Sequence, residues 1–315
     1  MKLTFRKLFC VPAFAAALAC SRSTFAGDTD KNVTAENTTA AIEQQPFQLS
    51  AEFDVEQAYV GEGEVERGSR SVDNIDEYYS LARFVLTPRI PFGILRLGAE
   101  WERYSFGFSN GEQLPNTLQT TNLIVGLDTK FSDSILVRIE AQPGIYGTTF
   151  NHFTSDDFNV PMVIGGTYIY SPDLQFVLGI GVNYEQKYPV LPGGGVRWKF
   201  APKWVLNAVL PTPRLEYQCS RNFTFFAGAD VKTNTFRVDH RFGDSHDDSR
   251  LNNALVSYSE VRIGSGFEWK ASSSFTITAE GGYLPYRNFD FYRADVRYHS
   301  EQGAPYASIA LHGAF

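Results

Sequence analysis

Charged residues recur at every second position along this chain, and that spacing limits their chemistry. Glu52, Asp54 and Glu56 form one such series, and Arg96, Glu100 and Glu102 form another. Arg138 with Glu140, Arg197 with Lys199, and Arg214 with Glu216 continue it, followed by Glu260, Arg262, Glu268 and Lys270. In an extended strand, residues two apart share a face. The charges therefore point one way, and the residues between them point the other. Such a face can line a wetted route that selects small solutes. It can equally fill an interior with cross-strand ion pairs, worth about 0.2–1 kcal/mol each. The signs are mixed with acids modestly ahead, whereas a strong ion selector needs one sign at a constriction.

Other chemistry-bearing groups have simpler readings. The segment 239–248 gathers Asp239, His240, Asp244, His246, Asp247 and Asp248. Carboxylates and imidazoles bind metals, but the spacing is not that of an EF-hand, so a solvated loop is expected and no metal site. Gly193-Gly194-Gly195 precedes Arg197 and Lys199. No helix and no Lys-Ser/Thr pair follows, so this is not a phosphate loop. With Pro211 and Pro213 it suggests a constriction or a low rim lined by Arg197, Lys199, Arg214 and Glu216, or simply a barrel corner. His312 and Ser308 share a strand face but lie about 13 Å apart at strand rise, too far for base and nucleophile. His299 and Ser300 are neighbours with opposed side chains. No catalysis and no cofactor are expected. Cys219 lies on an apolar face beside a turn and acts as a small hydrophobe.

The elements that must position these groups are strands. Leu95, Leu97, Ala99 and Trp101 oppose the Arg96 series, and Ile135, Val137, Ile139 and Ala141 oppose Arg138 and Glu140. Phe176, Leu178, Ile180 and Val182 alternate with Gly179, Gly181 and Asn183, and Val261, Ile263, Phe267 and Trp269 alternate with charges. A short turn falls at each of Pro88–Phe92, Ser132–Ser134, Ser171–Asp173, Ala201–Lys203, Ser220–Asn222 and Ala271–Ser274. Longer polar links at 61–76, 105–117, 148–158, 187–193, 237–255 and 288–304, plus the tight bend at Pro211–Pro213, alternate with them. Six short turns and seven other links predict a fourteen-stranded all-β antiparallel barrel, with lipid outside and charges inside. Trp198, Phe200, Trp204, Phe223, Trp269 and Phe275 gather near the short turns, and Tyr59, Trp101, Tyr188 and Tyr283 near the other end, as interfacial girdles do.

Composition agrees. The chain has 315 residues and a formal net charge of −7. Residues 1–26 read as a secretory signal, with basic MKLTFRK, apolar LFCVPAFAAALA and small residues before Gly27. Its removal takes four cations (Lys2, Arg6, Lys7 and Arg22) and no acid, leaving −11. An acidic chain repels phosphate, which argues against a nucleic-acid partner. Cys10 and Cys20 leave with the signal, so Cys219 has no internal disulfide partner. Residues 27–46 are polar and aperiodic and read as a flexible periplasmic lead-in, with the barrel at 47–315.

The final run ASIALHGAF alternates and ends on Phe315. This ending resembles the signal by which bacterial outer-membrane barrels are handed to the barrel-assembly machinery. YPVLPGGGVRWKF (188–200), Trp204 and LPTPRLEYQ (210–218) resemble an uncharacterised bacterial family of outer-membrane barrels, a domain of unknown function. The likeness runs from about Phe47 to Phe315 and is sharpest between Tyr188 and Asp230. It implies a fold and an outer-membrane location, with membrane lipids as partners, and it carries no reaction.

The reading is a passive porin-like channel for small hydrophilic solutes. Arg96, Glu100, Arg138, Glu140, Arg197, Lys199, Arg214, Glu216, Glu260 and Arg262 are the candidate lumen lining. The alternatives are a salt-bridged structural or interaction barrel with a closed lumen, and an outer-membrane lipid-modifying enzyme.

Overall fold

A computed structural model describes residues 50–68, 70–108, 112–149 and 154–315. The signal and lead-in readings at 1–26 and 27–46 lie outside the described residues. Fourteen antiparallel strands close into one barrel. They are β1 Ala51–Arg67, β2 Arg70–Leu86, β3 Gly93–Gly107, β4 Thr117–Ser132, β5 Ile135–Ala141, β6 Met162–Ser171 and β7 Leu174–Val182. There follow β8 Val190–Ala201, β9 Trp204–Val209, β10 Arg214–Gln218, β11 Phe223–Arg237, β12 Leu255–Lys270, β13 Phe275–Phe291 and β14 Ala304–Ala314. Each pairs with the next in sequence. β14 closes on β1 through a ladder from Glu52↔Ala314 to Val60↔Tyr306.

The closure follows from the solvent. Lipid offers no hydrogen bonds, so every backbone N–H and C=O in a spanning strand needs a neighbour, and only a closed sheet supplies one. At the seam, Ala51 N donates to Phe315 O and Phe315 N to Ala51 O. The terminal aromatic also stacks with Phe53 and meets Phe275 edge-on.

Facing follows the alternation. Leu178 is 74% exposed and Ile180 40%, whereas Arg96 is 3% exposed and Glu140 1%. The apolar row is thus outside and the ionic row inside, the reverse of a soluble sheet. The short turns lie where expected, at the end holding Ala51 and Phe315. Three of the expected long links are different. In 187–193, pairing already begins at Val190 opposite Val182, so only the first half is a link. The stretch 61–76 is largely ribbon, because β1 and β2 continue pairing to Arg67↔Arg70 around Gly68. The stretch 288–304 is also ribbon, with Val296–Gln302 pairing to both β13 and β1. Polar composition suggested loops, but a ribbon rising above the membrane has no lipid-facing side and needs no apolar row. Between β5 and β6, Gly144–Gly147 and Phe158–Asn159 add further short pairings.

Inward glycines make room for inward rings. A Cβ on Gly266 would lie 2.8 Å from Phe226 Cζ, and one on Gly264 would collide with the Tyr306 hydroxyl.

Leu178 stands in the middle of β7, facing lipid. Replacing it with Arg should lower folding stability by about 2–4 kcal/mol, the cost of a cation at mid-bilayer. A urea titration of folding into lipid vesicles measures this, and an unchanged midpoint would contradict the assigned facing.

Candidate functional site: the barrel lumen

All ten candidate lining residues sit on strands whose alternation turns them inward, but they do not form one continuous lining. Three ionic groups, one aromatic layer and one uncommitted row divide the interior.

The largest ionic group centres on Glu77 of β2. Its carboxylate accepts from Arg262 at 3.0 Å, Arg287 at 3.1 Å and the Tyr258 hydroxyl at 2.5 Å. Arg262 also reaches Glu260 at 2.8 Å. Lys232 donates to Glu56 at 3.3 Å and sits 3.5 Å from the centroid of the Tyr79 ring. Such cation–π contacts strengthen where water is excluded. Tyr79 and Tyr104 hydroxyls both donate to Glu102, at 2.9 and 3.0 Å. Glu260 and Arg262 were expected from the sequence. Glu77 and Arg287 were not, because they lie beside bulges that break the alternation; Lys232 was not either, although Asp230, Lys232 and Asn234 alternate without interruption on β11. The like pair Tyr78-Tyr79 was the available signal, since one ring of two adjacent ones must point inward.

A second group lies nearer the short turns. Arg96 approaches Glu140 at 3.4 Å and Glu52 at 3.3 Å, and Arg83 approaches Glu100 at 3.8 Å and Glu140 at 3.7 Å. Arg138 grips Asp128 with two hydrogen bonds of 2.6 and 2.7 Å. A third is Arg214, which donates to Glu216 at 2.9 Å and Glu268 at 2.6 Å. The remaining candidates, Arg197 and Lys199, join none of these groups. Lys199 is exposed at the short-turn end, where His312 also meets Asp54 at 2.7 Å.

Above the Glu77 group, toward the long links, the interior is apolar. Tyr104, Phe106, Tyr258 and Phe289 pack through edge-to-face and tilted ring pairs with centroids 4.9–5.2 Å apart, and Phe236, Phe291, Leu114 and Leu118 join them. The loop after β11 folds into this layer through Val238, Phe242 and Leu251. Its acidic residues stay outside, and no three metal-capable side chains converge among the described residues. Arg237 ties the loops together. It donates to Asp156 O at 2.7 Å, to Asn253 O at 3.0 Å and to Glu185 at 2.7 Å. Gly147 pairs in parallel with Arg237, so the chain crosses the mouth between strands that are not barrel neighbours.

The sequence profile of the family described as a domain of unknown function (DUF6268) matches residues 96–311. The chain belongs to this family. No curated protein matches the sequence. Among solved structures, the chain is similar to the COG4313 outer membrane channel from Pseudomonas putida F1, at 6% identity and TM-score 0.47, covering 87% of this chain and 98% of that one. A NanC porin shares 13% identity at TM-score 0.39, covering 83% and 98%. A Pseudomonas aeruginosa FadL homologue shares 10% identity at TM-score 0.37, covering 89% and 93%. At such distances function has to be read from this family member's own lumen.

Two outcomes follow. Glu77→Gln leaves Arg262 and Arg287 buried with one charge too few, so folding stability should drop by about 3–5 kcal/mol; a denaturation midpoint equal to wild type would show the cluster to be solvated instead. In the outer loop, hydrogen bonding from Arg250 holds the Asp248 carboxyl below the usual carboxylate range. A depressed acid contributes stability above its ordinary value and loses it as pH falls below that, near pH 4. Acidification through this range should therefore speed amide exchange in 239–253, and Asp248→Asn should reproduce the effect at neutral pH.

Proposed function

We propose that this barrel resides in the bacterial outer membrane and is a passive channel for small hydrophilic solutes, held shut at its outer end. The observation that supports transport is the part of the polar interior that the ion pairs leave uncommitted: among the described residues Arg197 joins no ion pair, and Lys199 is exposed at the short-turn mouth. The buried ion pairs themselves suit a closed lumen equally well. Charges kept through the middle and lower interior suit a route that water enters when the outer layer opens. Mixed signs favour polar solutes of either charge over strong ion selection.

The aromatic layer and the Arg237 tie favour a second reading, a closed barrel that presents its outer ribbons to a partner. Both readings share the location and the fold. They differ in whether the outer layer ever moves.

Conductance of the refolded full chain in a planar lipid bilayer separates them. The channel reading expects brief openings for wild type and longer ones for Arg237→Ala, because three outer-loop bonds are lost. If both proteins fold and neither passes current, the channel reading is wrong and the closed barrel stands.

A further inference from the structure

Most inward-facing charges in this barrel are already matched, and one row is not. Gln175 on β7 pairs in register with Arg197 on β8, which pairs with Asn207 on β9, which pairs with Arg214 on β10. Directly opposed residues on neighbouring strands have Cβ atoms about 4.5–5.5 Å apart. Four long polar side chains are thus set side by side across one sector of the wall. Arg214 is engaged by Glu216 and Glu268. Gln175 and Arg197 have no side-chain partner among the described residues, and the same holds for Asn207.

Burial makes this costly. Asn207 is 1% exposed, yet its Oδ1 accepts nothing; Arg197 Nε is buried and donates to nothing. The second oxygen of Glu216, a residue 2% exposed, also lacks a hydrogen bond. A buried polar group left without a partner is destabilising. Orphaned atoms occur beside the ion pairs as well, but in this sector they include Arg197, a cation that joins no ion pair among the described residues.

The surroundings give the sector a roof and an entrance. One register step toward the outer end, Val177, Gly195 and Val209 are in line, and Val177 packs with Val209 across the glycine. One step toward the short turns, Lys199 is exposed at the mouth. Trp198 and Phe200 take the opposite, lipid-facing side of the same strand. The row therefore opens toward the short-turn end and is capped above by valine.

We propose that Gln175, Arg197 and Asn207, with Lys199 at the entrance, form a binding site for a small hydroxylated carboxylate. The guanidinium of Arg197 takes the carboxylate, since a planar fork matches two oxygens. The two amides and the free Glu216 oxygen take hydroxyl groups, offering both donors and acceptors. Glu216 and Glu268 together exceed Arg214 by one negative charge, and Arg197 and Lys199 outweigh that excess. A singly charged anion suits this balance. The inference rests on the reading of a polar lumen reached from the short-turn end, and it adds the class of solute.

Calorimetric titration of the refolded full chain in detergent micelles tests it, with sodium gluconate as probe and glucose and inorganic phosphate as comparison arms. Gluconate should bind and glucose should not. Arg197→Gln should weaken gluconate by about tenfold or more, the loss of one charge-assisted pair. Lys199→Gln should weaken it less. Far-ultraviolet circular dichroism confirms that each variant still forms the barrel. Equal binding of glucose and gluconate, phosphate binding as tight as gluconate, or an Arg197→Gln variant that binds like wild type would each overturn the assignment. The readout is independent of current: binding without conductance leaves this site standing and removes the channel, and conductance without binding does the reverse.

Discussion

Backbone hydrogen bonding in a solvent that offers none is the constraint behind this molecule. A strand in lipid leaves a row of N–H and C=O groups unsatisfied unless both edges are paired. β1 and β14 are the two strands with no neighbour in sequence on one side, and they satisfy each other from Glu52↔Ala314 to Val60↔Tyr306. Once that seam is closed, the alternation of every strand has only one consistent facing. The apolar rows go to the membrane, and the charges go wherever water or counter-charges are found.

Inside, the chain meets that demand in two ways. Near the long links it builds a layer of rings and aliphatic groups, much like the centre of a soluble domain. Below that layer it uses arginine and glutamate, with Glu77 accepting from Arg262, Arg287 and Tyr258 at once. The aromatic layer adds stability by excluding water, and the ionic groups hold the walls in register while costing desolvation. A barrel built this way is tight at the outer end and wettest near the short turns, where Lys199 is exposed and Asp54 and His312 meet.

Much of the architecture was legible in the residues. Alternation in segments such as 95–102 and 135–142 fixed facing, and the spacing of short turns fixed the number of strands. The same alternation put the ten candidate charges on one face of their strands. Glu77 and Arg287 escaped because bulges interrupt the period beside them, as between Val261 and Ile263 on the partner strand β12; Lys232 sits in an unbroken ladder, and its alternation with Asp230 and Asn234 was there to be read. The stretches 61–76 and 288–304 were misjudged as loops because a strand that rises clear of the membrane loses the apolar half of its pattern.

The sequence by itself determined the barrel, its strand count and which rows face lipid, because those depend on period and turn spacing, which are local. Only the tertiary structure decided which inward charges neutralise one another, that the loop after β11 fills the outer mouth, and that Arg197 and Asn207 are left without partners. Those outcomes depend on distances between strands far apart in the chain. Closure of the sheet sets those distances, and no local pattern encodes them.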